Sequence, residues 1–268
     1  MALTQQETGE AFRALHEGDP FVIPNPWDAG SARLLAGLGF KALATTSSGF
    51  AFTLGRADGT VTLDEITAHV GSLTEATELP LSVDLENGYG PAPEDAALAI
   101  ARVAEAGAVG GSIEDYDRDD GELYDLDSGA ERVAAAAETA RALDFPFTLT
   151  ARAENHLRGK PSLDDTIARL QAYEEAGADV LYAPGLVTAD EIATICDAVS
   201  KPVNVLALGR LNLTFDEITG AGAQRVSVGG GLAWTAVNAA IEAAEAIIDG
   251  GDFSALGTPG RVREWLGN

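Results

Sequence analysis

Short apolar runs recur along the chain, each separated from the next by a stretch with helical spacing. The runs at 21–25, 41–46, 81–86, 108–113, 147–152, 180–183, 203–206 and 225–228 read as buried strands, rich in Val, Ile, Leu, Phe and Ala. Between them, helices are predicted over 31–38, 62–77, 93–105, 128–143, 163–175, 189–199, 215–220 and 233–249, with a helical entry around Phe12. Thr62 is placed as an N-cap and Glu65 as its capping-box partner. The helix ends repeat Ala-Gly-Ala at 106–108, 176–178 and 221–223, which suits a left-handed glycine turning the chain into the next strand. Ser47-Ser48-Gly49 reads as a small polar loop. Eight strand-helix units within a chain of this length predict a (β/α)8 barrel; a doubly wound open sheet comes second, because no Gly-rich dinucleotide loop is present. No composition shift marks a linker, so 1–268 is read as one barrel domain, with 235–268 a C-terminal helical segment used in oligomer contacts.

Charge and composition narrow the function. The formal charge of −25 argues against nucleic acid and acidic membranes as partners. No apolar run reads as a membrane span and 1–10 has no signal pattern. A single cysteine, Cys196, excludes an intrachain disulfide, and a cytoplasmic location is expected. Of the three histidines, His16 and His69 read as surface residues and His156 as a candidate for the barrel mouth.

Barrel chemistry sits at the carboxyl ends of the strands. The polar residues there are Asn25, Thr46, Ser47, Ser48, Asp84, Glu86, Glu114, Arg152, Glu154, Asn204 and Ser227. Asp84 and Glu86, two apart at a strand end, project to the same side. Paired carboxylate ligands beside a turn suit Mg²⁺, with Mn²⁺ as its substitute, and waters with an anionic substrate complete the octahedron. Four carboxylates and one arginine converging on one mouth point to a metal-anion site.

These residues carry a resemblance. Asp84-Leu-Glu86-Asn-Gly88-Tyr89-Gly90, Ile113-Glu114-Asp115 and Ala151-Arg152-Ala-Glu154, in that order, resemble the isocitrate lyase and phosphoenolpyruvate mutase superfamily. Gly55-Arg-Ala-Asp58-Gly59 upstream and Ala172-Tyr173 to Asp179 downstream extend the similarity over about 12–245. The resemblance implies Mg²⁺ held largely through water by Asp84, Glu86 and Glu114, with Asp58 supporting that shell. Arg152 would hold a substrate carboxylate, and backbone N–H groups around Ser47 and Ser48 the other end of a 2-oxo acid. Catalytic roles fall to Arg152, Glu114 and Asp58; Thr46, Ser47, Ser48, Trp27, Arg152 and Asn204 are placed around the substrate. A homodimer or homotetramer with its last helix exchanged is implied too.

The loop after the fourth strand departs from that family. At 115–127 it is acidic and lacks the cysteine of the lyases and the lysine of the mutases; a family glutamate and asparagine are replaced by Ala183-Pro184-Gly185 and Leu206. The loop reads as a solvated lid from which Tyr116, Arg118 or Tyr124 folds over a substrate. The expected activity is a Mg²⁺-dependent carbon-carbon lyase acting on a small 2-oxo or 2-hydroxy acid. Oxaloacetate-decarboxylase-like chemistry is favoured, because loss of CO₂ needs the least acid/base machinery. The alternatives are a catalytically silent 2-oxo acid binder and a C–P enzyme of the phosphonopyruvate hydrolase or mutase type.

Overall fold

A computed structural model describes residues 3–209 and 211–266. The chain runs α1 (Gln5–Glu17), β1 (Phe21–Ile23), α2 (Ala29–Gly37), β2 (Leu43–Ala44), α3 (Ser47–Thr53), α4 (Leu63–Ala76), β3 (Leu81–Asp84), α5 (Pro93–Glu105) and β4 (Gly110–Glu114). It continues through β5 (Tyr116–Asp117), β6 (Glu122–Leu123), α6 (Leu126–Ala142), β7 (Thr148–Arg152), α7 (Leu163–Glu175), β8 (Val180–Tyr182) and α8 (Ala189–Ala198). The last elements are β9 (Val203–Leu206), α9 (Phe215–Gly220), β10 (Arg225–Ser227), α10 (Gly231–Gly250) and α11 (Val262–Leu266).

Eight strands form one parallel sheet in the order β1-β10-β9-β8-β7-β4-β3-β2. The seam between β1 and β2 is bridged by Ala44 N–H donating to Pro24 O at 3.0 Å and by Asn25 Nδ2 donating to Thr45 O at 2.9 Å. The sheet therefore rolls into a nearly closed (β/α)8 barrel, which brings all eight strand ends to one mouth. Leu81, Val83, Ile113, Leu149, Leu181 and Val205 are buried on the strands, and Ile66, Leu73, Ile100, Leu170, Ile192 and Ile195 cover them from the helices. Helix starts follow the local chemistry: Thr62 accepts from Glu65 N–H and Glu65 returns to Thr62 N–H, the predicted box. Gly107, Gly177 and Gly222 take φ near +100°, the left-handed turn expected of the Ala-Gly-Ala repeats.

Four expectations change. Ser47-Ser48-Gly49 opens a helix rather than a loop, because Thr46 Oγ1 caps it by accepting from Gly49 N–H. The acidic stretch contains the antiparallel hairpin β5–β6, pairing Tyr116 with Leu123. His16 and His69 are buried: His16 lies edge-on between Phe12 and Phe21, and His69 stacks on Phe50 with centroids 3.8 Å apart. Burial pushes His16 down to about 3 and His69 down to about 4, so both rings are neutral. Finally, α10 is by length and composition apolar enough to cross a membrane, although Glu242 and Glu245 lie within it; of its residues only Ala233 is buried.

Candidate active site

Asp84 ends β3, but Glu86 stands past the strand, so the two reach the mouth through a turn and not through the pleat. Glu86 adopts φ 51° and Tyr89 φ 65°, a conformation that costs a side-chain-bearing residue about 1–2 kcal/mol. The surroundings enforce it. Asp84 Oδ1 accepts from Glu86 N–H at 3.3 Å, Glu86 O accepts from Glu114 N–H at 2.8 Å, and Leu85 O accepts from Gly88 N–H at 2.8 Å. Gly88 is required where it is: a Cβ there would lie 2.7 Å from Ala96 Cα. Buried Arg132 of α6 clasps the turn from below, donating to the carbonyls of Asn87, Gly90 and Pro91.

Arg152, at the end of β7, is the hub. Its guanidinium lies 2.8 Å from Asp84, 3.1 Å from Glu114 and 2.7 Å from Glu154, and 5.1 Å from the Tyr182 ring. Arg118, from the hairpin, reaches in to lie 2.8 Å from Glu86, 3.9 Å from Glu114 and 3.7 Å from exposed Asp58. Arg158 lies 3.2 Å from Glu114 and 3.1 Å from Glu154 and covers the Tyr116 ring at 3.8 Å. Arg118 thus reaches the acids at the mouth and Tyr116 lies under Arg158, while Tyr124 Oη receives Asn87 Nδ2 at 3.1 Å.

Five carboxylates (Asp58, Asp84, Glu86, Glu114, Glu154) face three guanidiniums, an excess of two acids over bases. The deficit is visible in the titration of the acids. Burial works against ionised Asp84, yet Arg152 and Arg118 hold it below its usual range. Burial raises Glu86 to about 7 in spite of Arg118. Burial, with the charge of Glu154 beside it, raises Glu114. Glu86 Oε1 is buried with no hydrogen-bond partner. A divalent cation would supply the missing charge and a partner for that oxygen, so the residues fit Mg²⁺. Among the described residues no three His, Cys, Asp or Glu side chains converge as a direct ligand cluster; Asp84 and Glu114 lie on Arg152 and Glu86 on Arg118.

Beside these acids a cavity of about 150 Å³ opens along the barrel axis. Thr46, Ser47, Ser48, Asp84, Arg152 and Asn204 line it, so five of the six residues placed around a substrate meet there. Trp27 does not line this cavity. It packs behind Gly49, where a Cβ would meet Trp27 Cβ at 3.0 Å. Asn204 is committed at both ends, with Nδ2 on Ser227 Oγ at 3.0 Å and Oδ1 receiving Arg225 Nε at 2.8 Å. Arg225 itself is buried below the cavity, also bonded to Thr150 and to neutral His16, and burial lowers it to about 10.

Asp115 serves the frame. It accepts from Tyr173 Oη at 2.6 Å, from Arg169 at 3.0 Å and from Glu154 N–H at 2.8 Å, which ties β4, β7 and α7 together beneath the acids. Arg158 was not read from the sequence as a site residue; its spacing four after Glu154 was the available signal. Cys196 is only partly buried, against the core and away from the mouth.

A barrel whose strand ends gather acids, arginines and a small polar cavity is the architecture of an enzyme of the (β/α)8 class. The chain belongs to the phosphoenolpyruvate phosphomutase family, whose model matches residues 12–248. It is 32% identical to an oxaloacetate decarboxylase of Bradyrhizobium sp. (strain ORS 278), over 72% of this chain and 69% of that one. A solved structure of a candidate lyase/mutase from Burkholderia cenocepacia J2315 is 52% identical with a TM-score of 0.95, covering 98% and 97% of the two chains. Oxaloacetate acetylhydrolase in complex with its product oxalate is 26% identical with a TM-score of 0.87, covering 97% of this chain and 94% of that one.

Proposed function

We propose that this protein is a Mg²⁺-dependent lyase that breaks a C–C bond beside the 2-oxo group of a small carboxylic acid. The observation that carries the reading is five carboxylates set against three guanidiniums beside a cavity walled by Arg152. Arg152 holds the substrate carboxylate through its planar fork. Thr46, Ser47 and Ser48 receive the other end. Glu86 and Glu114 orient the ion's water shell, and Asp58 holds Arg118 over it. A bound Mg²⁺ would supply electrostatic stabilisation of the negative charge that develops on the substrate. Arg118 and Arg158 keep the hairpin closed and exclude water.

Oxaloacetate decarboxylation fits the residues best: the C3–C4 bond breaks, CO₂ leaves, and the electron pair remains as an enolate that takes a solvent proton at C3. No side-chain acid is demanded of the acidic loop. Purified protein is expected to release pyruvate from oxaloacetate with Mg²⁺, and to lose that rate with chelator and in Asp84→Asn. A panel including phosphonopyruvate covers C–P cleavage. Binding of oxalate without turnover of any member would leave the silent binder as the function.

The exposed apolar face of α10, with Trp234, Ile241 and Ile248 at 40%, 48% and 82% exposure, is covered in this reading by a second copy. Glu242 and Glu245 make a membrane the costlier partner, at about 2.5–3.5 kcal/mol per buried charge. Light scattering should give a dimer or tetramer for the wild type and monomer for Ile241→Glu/Ile248→Glu; an unchanged mass would sink the assignment of this face.

A further inference from the structure

The polar cavity is lined by two arginines, Arg152 and Arg225, and they stand in opposite electrostatic states. Arg152 has three carboxylates within 3.1 Å, and Arg118 and Arg158 beside it are paired with acids too. Arg225, at the start of β10 and 4% exposed, has only neutral partners among the described residues. Asn204 Oδ1 receives its Nε at 2.8 Å, Thr150 Oγ1 its Nη2 at 2.9 Å, and His16 Nε2 its Nη1 at 3.2 Å. His16 is held as an acceptor, because its Nδ1 lies 2.9 Å from Phe12 O and has to donate there. Acids outnumber Lys and Arg by 42 to 17 in this chain, so a counter-ion was easily supplied, yet three neutral acceptors surround this guanidinium instead. They orient the side chain and leave a desolvated charge without compensation, which is costly unless an anion completes it. Of its five N–H donors, one on each terminal nitrogen has no partner among the described residues.

Thr150 stands two residues before Arg152 on β7, so both face the barrel interior, and the guanidinium of Arg225 sits about 6–7 Å deeper than the root of Arg152. Small side chains, Ala44, Ser82 and Ser112, line the same cavity and keep the axis open. We infer that Arg225 is a substrate-binding residue that reads a second anionic group. This rests on the 2-oxo acid reading and narrows its class to a small dicarboxylate. The head group sits at Arg152 and Ser47, and the second carboxylate turns down the barrel axis to Arg225, whose free N–H pair suits it. Arg152 cannot discriminate in this way, because its charge is already shared among three acids. The contact with Arg225 is made in the bound substrate and ends when CO₂ leaves, so it selects which acid is held and does not lower the barrier.

Malate and 2-hydroxybutanoate differ only in a carboxylate where the second has a methyl group, so their affinity ratio isolates the contact. Calorimetric titration with Mg²⁺ present is expected to show malate bound at least about tenfold more tightly by the wild type. In Arg225→Gln the ratio should fall below about threefold while oxalate, which needs only the head-group site, still binds. Arg225→Lys keeps the charge and should keep the ratio above about threefold. Oxalate bound by the wild type with no preference for malate overturns the role of Arg225 alone, as does a full preference surviving in Arg225→Gln. Where Arg225→Gln binds no ligand at all, Arg225→Lys decides: oxalate bound there without any preference for malate overturns the role. Oxalate and both hydroxy acids failing to bind the wild type overturns it together with the 2-oxo acid reading beneath it.

Discussion

Arg152→Ala is expected to abolish oxalate binding and to lower the melting temperature by on the order of 10 °C. The guanidinium offsets Asp84, Glu114 and Glu154 at 2.8, 3.1 and 2.7 Å, in a place where Glu114 and Glu154 are almost wholly buried and Asp84 is partly so. Removing one member of a buried ion pair costs about 3–5 kcal/mol, because the remaining charges are left desolvated. Burial opposes the charge on Arg152, but its three carboxylates hold its pKa well above the ordinary value, so it stays protonated at any working pH. Arg152→Lys separates the two roles. Lysine restores a positive charge and most of the stability but not the planar fork, so binding should still fall by at least tenfold. Thermal unfolding and calorimetric titration with oxalate and Mg²⁺ check both variants. Oxalate binding unchanged in Arg152→Lys would remove the fork from the mechanism.

Asp115→Ala is the second large effect, and it acts on the frame. Asp115 receives Tyr173, Arg169 and the Glu154 N–H, so alanine strands a buried hydroxyl, a buried guanidinium and a backbone donor at once. A loss of about 3–5 kcal/mol is expected, which for a chain of this size lowers the melting temperature by roughly 6–15 °C. Asp115→Asn keeps an acceptor for two of the three donors and should recover about half of the loss. Oxalate affinity in Asp115→Asn is expected to fall no more than about fivefold, since its oxygens do not reach the cavity. A collapse of binding with an unchanged melting temperature would show that Asp115 acts at the ligand rather than below it.

Much of the fold was legible because local signals agreed with one another. Apolar runs of strand length, caps such as Thr62 with Glu65, and left-handed glycines at three helix ends each constrain only near neighbours, and each is written in adjacent residues. The elements over 93–105, 163–175, 203–206 and 215–220 fall where their periodicity puts them. The acidic hairpin did not, because Asp and Gly make weak strand signals and its pairing is set by Tyr116 and Arg118 docking on the mouth. His16 and His69 misled for a related reason. A histidine on an amphipathic helix is compatible with either face, and the partners that bury these two, Arg225 and Phe50, lie on other elements.

The sequence by itself determined the barrel, the ring of strand-end acids and Arg152, since a period of strand and helix with polar residues at each strand's end leaves little choice of architecture. Only the tertiary structure decided what those residues mean to each other. It turned Glu86 inward through a left-handed bend, brought Arg118 and Arg158 to the acids, left Trp27 behind Gly49 and opened a second, apolar cavity lined by Leu206 and Leu208. Charge balance and cavity shape depend on distances between elements far apart in sequence, and those distances exist only once the sheet has closed.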